Sequence, residues 1–295
     1  MVTATFSGRQ QDNLRGIFFM LLGFFVFSMA DSIAKYLTAY YHPTQIVWTR
    51  QLGITLGVVV LIGMKGSQIL RSAAPGLQIG RGLCAIVSAL SFVVALRHVP
   101  LAMAVAVSFV APFMVTMLGA LLLREQVGIR RWTAIAIGFL GTLVVIRPGF
   151  DTPHPAILFV ILAAFAFALR QILSRYLGNR DRTETTMAYT ALTTIALLAL
   201  PLPFFWAEPQ SWSHVGAMAA MALLAGFGEY MVIRALEIAL AVVVAPMQYA
   251  MIIFSSIWGF LLFGHIPDIW TWVGSAIIIA SGLYMMRREA RRSKG

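Results

Sequence analysis

The first half of this chain recurs in the second at a fixed offset of 140 residues. Gly16–Leu37 (GIFFMLLGFFVFSMADSIAKYL) lies over Ala156–Leu177 (AILFVILAAFAFALRQILSRYL). Ile17/Ile157, Phe19/Phe159, Leu22/Leu162, Phe25/Phe165, Phe27/Phe167, Tyr36/Tyr176 and Leu37/Leu177 coincide, and Lys35 faces Arg175. The same offset sets Ala95-Leu96 over Ala235-Leu236, Gly119 over Gly259, Leu121-Leu122 over Leu261-Leu262 and Trp132 over Trp272. Each copy is a series of long apolar runs. A duplicated unit with an odd number of membrane spans must sit in the bilayer in both orientations, which is how secondary transporters are built.

Composition agrees with a membrane chain. Hydrophobic residues make up 60% of the sequence and charged residues 11%, too little charge to cover the apolar surface of a soluble protein. The single cysteine, Cys84, lies in an apolar run, so a disulfide framework is excluded. A net charge of +11 in a soluble protein would point to nucleic acid; here the basic residues fall in short loops, where topology accounts for them.

Each span needs about 20 apolar residues. Ten are expected, near 14–36, 46–64, 78–96, 101–123, 131–147, 155–177, 186–205, 215–239, 243–263 and 270–286, separated by loops punctuated by Pro43, Pro100, Pro153, Pro155, Pro209 and Pro267. With the N-terminus inside, Arg9, Arg15, Lys65, Arg71, Arg81, Arg124, Arg130, Arg131, Arg175, Arg180, Arg182, Arg234 and the basic tail after Arg287 all fall on the inner side. The outer side keeps Lys35, Arg50, Arg97 and Arg147. The asymmetry places both termini in the cytoplasm. The expected fold is therefore all-α and polytopic, with ten transmembrane helices as two inverted five-helix repeats, residues 1–150 and 151–295. Arg9, Arg15, an apolar core and Ser28-Met29-Ala30 imitate a secretory signal. The internal copy at Ala156–Leu177 argues that the first span is permanent.

Two segments carry a family resemblance. Leu121–Gly149 reads LLLREQVGIRRWTAIAIGFLGTLVVIRPG and Leu261–Glu289 reads LLFGHIPDIWTWVGSAIIIASGLYMMRRE. Each resembles the end of an EamA repeat of the drug/metabolite transporter superfamily: a glycine-containing helix, a short polar turn with an acidic residue, then a glycine-bearing final span. Glu125 fits the acidic turn in the first copy, whereas His265 stands there in the second. The chain looks most like the YddG-type amino-acid exporters. The resemblance implies a central cavity between the halves and export of amino acids or similar small metabolites across the inner membrane by alternating access, with no cofactor.

Charges inside a span mark a pathway or a buried pair. Glu229, with its neighbour Tyr230, falls near the middle of the eighth span, and Arg170 lies deep in the sixth. They pair, as a structural tie between these spans, or each face a wet cavity, where Glu229 would be able to carry a proton, or the span boundaries are shifted and they face lipid or the interface. Asp31 and Lys35, four residues apart on one helix face, and Arg50 at the same depth, are candidates for an outer gate; the competing reading is interfacial snorkelling to water. Pro112 frees the carbonyl of Ser108 beside Phe109. Gln248 and Tyr249 are the repeat equivalents of Ser108 and Phe109, a pairing that suits a zwitterion; a simple packing kink is the alternative. Gly53/Gly57, Ala134/Gly138 and Gly274 permit close helix approach.

His42, His98, His154, His214 and His265 all lie in or beside outer loops, without ligand spacing, so no metal site is expected. An intramembrane enzyme would need a nucleophile and base, or metal ligands, at one depth. No buried histidine, HExxH or aspartate pair appears. Neither do a channel filter or a phosphate-binding loop. The partners expected are a small-molecule substrate and the bilayer, with protons as a candidate coupling ion and no nucleic acid, and the chain is expected to work as a monomer. Export of another metabolite or drug class, and less readily an enzyme or channel, are the alternatives.

Overall fold

In the computed structural model, every regular element among the described residues (13–122, 128–146, 154–177, 180–239 and 244–292) is helical. In chain order they are α1 (Asn13–Leu37), α2 (Pro43–Lys65), α3 (Pro75–Leu96), α4 (Leu101–Ser108), α5 (Ala111–Leu122) and α6 (Ile129–Ile146). The second half holds α7 (Ile157–Leu177), α8 (Thr183–Ala199), α9 (Leu202–Phe205), α10 (Trp212–Ile238), α11 (Ala250–Phe263) and α12 (Ile269–Arg292). Short 3-10 turns cover Ser67–Leu70 and Ala245–Tyr249. Glu125, in the acidic turn, and Arg9, Arg124, Arg147 and Pro153 lie outside the described residues.

Among the described residues, six stretches are long and apolar enough to cross a bilayer: Leu14–Leu37, Pro43–Lys65, Pro75–Leu96, Leu101–Leu122, Ile157–Leu177 and Trp212–Leu236. Trp132–Ile146, Met247–Phe263 and Ile269–Tyr284 are shorter apolar helices. Leu56, Val59, Val60, Leu158, Leu223 and Phe260 all point outward, a surface that lipid accepts and water does not. The chain is a multi-pass membrane protein.

Two expected spans are interrupted. The span expected over 101–123 breaks after Ser108. The Phe109 and Val110 amides donate to the carbonyls of Ala106 and Val107, three residues back, and Pro112, which lacks an amide hydrogen, sits in the first turn of the new helix α5. Pro112 thus separates two helices rather than kinking one. The span expected over 186–205 begins earlier, at Thr183, and stops at Ala199, because Pro201 and Pro203 withhold amide donors from the ladder.

Helix α4 lies at the centre. Leu101, Ala104, Val105, Ala106 and Val107 are each no more than 1% exposed, so the helix is apolar and covered all round. It packs against α6, α7, α11 and α12. Around it α1 runs along α10, α3 along α7, α6 along α12, and α2 against α8 and α10. Small residues allow two of these approaches. A Cβ on Gly53 would collide with the Ala222 backbone, and one on Gly226 would come 2.7 Å from the Gly53 carbonyl. Gly274 and Gly141 face each other in the same way, a Cβ on Gly274 lying 2.6 Å from the Gly141 carbonyl. Gly57 faces open space and takes no part. Gly138 makes room for the Phe113 ring.

Candidate functional site

Three half-buried charged side chains from three helices lie within electrostatic reach of one another. Arg81 lies six residues into α3, Arg170 seven residues before the end of α7, and Glu229 nine residues before the end of α10. At 1.5 Å per residue these are depths of roughly 9, 10 and 14 Å from the same ends of the bundle. Helix α10 begins at Trp212, three residues before the expected boundary, and Glu229 lies deeper from this end than either arginine. Its carboxylate interacts electrostatically with both arginines. Among the described residues it makes no ion pair within 4.0 Å, so the structural tie between Arg170 and Glu229 is not formed. The packing explains this. α10 lies along α1 and α2, whereas α7 lies along α3, so Glu229 addresses the arginines across the interior.

The arginines are held differently. Arg81 Nε donates to Ser174 Oγ at 2.6 Å, and its Nη1 reaches Thr190 Oγ1 on α8. Ser174 Oγ in turn donates to the Arg170 carbonyl at 2.8 Å, which puts Arg81 one helical turn from Arg170. The Arg170 guanidinium lies 4.8 Å from the Phe167 ring centre, and its Nε is buried without a hydrogen-bond partner among the described residues. Cys84, one turn beyond Arg81, is close enough to interact with both guanidinium groups. Sequence reasoning missed Arg81 by counting it with the inner loops. The signal was available: the helix starts at Pro75, three residues before the expected boundary, which draws Arg81 inside.

The helix break at 109–110 brings Phe109 against Tyr249, ring centres 5.0 Å apart and tilted by 33°. Both are buried. Ser108 Oγ donates to the Val105 carbonyl at 2.7 Å, and Ser108 and Gln248 are half-buried beside the aromatic pair. Tyr230 is a correction: it is 55% exposed on the outer surface of α10. One residue further along a helix is a rotation of about 100°, so Tyr230 faces lipid when Glu229 faces inward.

The trio expected as a gate separates. Asp31 is buried and bridges Arg50 at 2.5 Å, joining α1 to α2. Lys35 turns elsewhere, donating to the carbonyls of Leu96 and Val99 at 2.7 Å each and lying 5.5 Å from the Phe263 ring centre. These ties replace the snorkelling reading, since each charge has a fixed partner. A cavity of about 370 Å³ opens at this same end, between the start of α4 and the turn after α11, lined by Leu101, Met103, His265, Asp268 and Thr271. It is a vestibule distinct from the charged interior cluster. In its wall Asp268 accepts from the Thr271 amide at 2.7 Å, capping α12, and so supplies in the turn before that helix the acidic residue that His265 does not.

The histidines do not converge. His214 is buried, with Nδ1 2.7 Å from Tyr41 Oη; its burial departs from the sequence reading. His42 caps α2 and stacks on Phe205 at 4.1 Å. His98 stacks on His154 at 4.6 Å. Partial loss of hydration, then the positive neighbours His154, Arg97 and Lys35, hold His98 below the ordinary histidine pKa. No group of three metal-ligating side chains occurs among the described residues.

At the opposite end Asp181, in the turn before α8, accepts from Ser72 Oγ at 2.5 Å, the Ala73 amide at 2.8 Å and Gln78 Nε2 at 2.7 Å. Nearby Lys65 bridges Glu184 at 2.6 Å. Desolvation raises the Asp181 pKa, but these hydrogen bonds and Arg180 outweigh it and hold the carboxyl below its ordinary range. This latch ties the segment 72–78 to the start of α8.

Known proteins resemble the chain along nearly its whole length. The S-adenosylmethionine uptake transporter of Rickettsia prowazekii is 27% identical, over 94% of each chain. The riboflavin transporter of Vibrio cholerae is 27% identical, over 95% of this chain and 96% of its own. The pseudopaline exporter of Pseudomonas aeruginosa is 26% identical, over 93% and 96%. A solved crystal structure that is 19% identical superimposes with a TM-score of 0.64, over 95% of this chain and 99% of its own, and shares the fold. The EamA-like transporter family matches twice, at residues 14–147 and 154–287. The chain belongs to the EamA-like transporter family, whose members are transporters and not enzymes.

Proposed function

We propose that this protein is a secondary transporter that exports amino acids, or small metabolites bearing an amino-acid group, across the inner membrane by alternating access. The observation that carries this reading is the interior cluster of Arg81, Arg170 and Glu229. Charges of both signs at neighbouring depths, not joined in an ion pair, are suited to the two ends of a zwitterion. The half-buried Ser108 and Gln248, the break at Pro112 and the Phe109–Tyr249 pair lie next along the path and contact the cargo side chain. Asp31–Arg50 closes the outer end, with Lys35 bracing it, and the Asp181 latch closes the inner end. S-adenosylmethionine, the cargo named for one relative, itself carries an α-amino acid group.

Ten helices in two inverted halves, residues 1–150 and 151–295, with both termini in the cytoplasm, suit this mechanism. Supporting this, α2 and α8 start at 43 and 183, α6 and α12 start at 129 and 269, and the break at 109 corresponds to 249, the last residue of the 3-10 turn before α11. All are separated by the sequence period. One chain supplies both halves, so a monomer suffices.

The test is uptake of radiolabelled neutral amino acids and S-adenosylmethionine into liposomes holding the purified protein, with and without a pH gradient. Saturable uptake is expected. If it follows the gradient and disappears in Glu229→Gln, Glu229 carries the coupling proton; if it needs no gradient and survives, transport is facilitated and Glu229 is structural. Uptake of riboflavin and of no amino acid or S-adenosylmethionine would sink the amino-acid assignment.

A further inference from the structure

We infer that Arg170, braced by Arg81, is the binding site for a carboxylate of the cargo, in the inner half of the transporter between α3, α7 and α10. The inference rests on the transport reading and adds to it the chemical group recognised and the side of the bundle that recognises it.

Four observations lead there. First, two guanidinium groups share one carboxylate at one depth, which leaves a single positive charge uncompensated in the interior. A buried charge without a partner is costly. A cargo carboxylate placed at Arg170 supplies the local partner that the guanidinium lacks, whereas a dianion such as a phosphate monoester would bring two negative charges towards Glu229. Second, Glu229 stands across the interior with no ion pair within 4.0 Å among the described residues, so the arginines are not already satisfied by it. Third, the two arginines have different duties. Arg81 is committed, through Ser174 and Thr190, to α7 and α8. Arg170 keeps a buried Nε without a partner among the described residues and rests on the Phe167 ring, which fixes the plane of the guanidinium. A fixed, planar fork of donors is the geometry that binds a carboxylate through two parallel hydrogen bonds. Fourth, Glu229 on the facing helix accepts the cationic end of an amphoteric molecule. A cargo bound this way bridges α7 to α10, and its neutralising contacts form only when both ends are present.

Cys84, the single cysteine, is one turn from Arg81 and partly accessible, and it reports on this site without transport. The experiment is N-ethylmaleimide modification of Cys84 in the full-length protein in liposomes, read by mass spectrometry, with methionine, S-adenosylmethionine, methionine amide and methioninol as protectants. The amide and the alcohol keep the amine and side chain and lose the carboxylate. Methionine or S-adenosylmethionine is expected to slow modification at concentrations at least tenfold below those at which the amide or alcohol does so. Arg170→Gln is expected to erase that difference, and Arg170→Lys to restore part of it. Equal protection by acid and amide in the unaltered protein, which needs no variant, overturns the inference. So does an acid preference that survives Arg170→Gln, or uptake of amino acids with no protection at all. Protection by the acids without uptake leaves the inference standing and removes the transport assignment. Neither protection nor uptake removes both.

Discussion

Asp31 and Arg50 show how far a single pair of residues constrains this protein. The aspartate is buried and its partner nearly so, with one short bond between α1 and α2. Removing one partner leaves the other charge in an apolar environment. Asp31→Ala is therefore expected to destabilise the fold by about 3 kcal/mol, seen as a lowered melting temperature in detergent. Asp31→Ala combined with Arg50→Ala should recover part of the loss, because no unpaired charge remains. Lys35 acts at the same scale in another way. Its ammonium satisfies two carbonyls exposed where α3 ends, so Lys35→Met should loosen the turn between α3 and α4 while leaving the Asp31–Arg50 bridge in place. Hydrogen exchange of the amides at 97–99 measures that directly.

At the scale of elements, the packing of α2 on α10 depends on the absence of a side chain. Gly53 lies against the Ala222 backbone, and the reciprocal approach of Gly226 to Gly53 leaves no room on either helix. Gly53→Val is expected to cost about 1–3 kcal/mol through overpacking, whereas Gly57→Val, at a position facing open space, is expected to be neutral. Comparing the two melting temperatures separates a packing effect from a general preference for glycine. The same reasoning explains why a pattern of small residues was only partly legible beforehand. Gly53 and Gly57 are equivalent in sequence, one turn apart, and only the neighbouring helix distinguishes them.

For the whole molecule, the two ends respond to pH through groups outside the spans. Asp181 has a lower pKa folded than unfolded, so its latch contributes fully above the ordinary aspartate value of about 4 and is lost as the pH falls through the lower folded-state value. At neutral pH the latch is intact. Asp181→Asn is expected to weaken it there and to speed Cys84 modification severalfold, since the latch holds Gln78 on α3, the helix that carries Cys84. His98 has the opposite charge type. Its folded-state pKa is depressed, so stability from the His98–His154 stack is present above the ordinary histidine value of about 6.5 and declines as the pH falls below it. The melting temperature should be lower at pH 5.5 than at pH 7.5, with the difference reduced in His98→Gln.

Depth was legible in the sequence and direction was not. A helix advances 1.5 Å per residue whatever surrounds it, so residue number alone placed Asp31 and Arg50 at one level and Arg170 and Glu229 inside the bilayer. Hydropathy, a sum over local composition, established the membrane class for the same reason. Which way a side chain points relative to other helices depends on how those helices pack, and no local sum contains that. Tyr230 facing lipid beside an inward Glu229, Lys35 parting from Asp31, Arg81 bound to α7 and α8, and His214 buried among tyrosines were all decided by packing. The charged interior cluster exists because α3, α7 and α10 converge, and only the tertiary structure brings those three turns to one place.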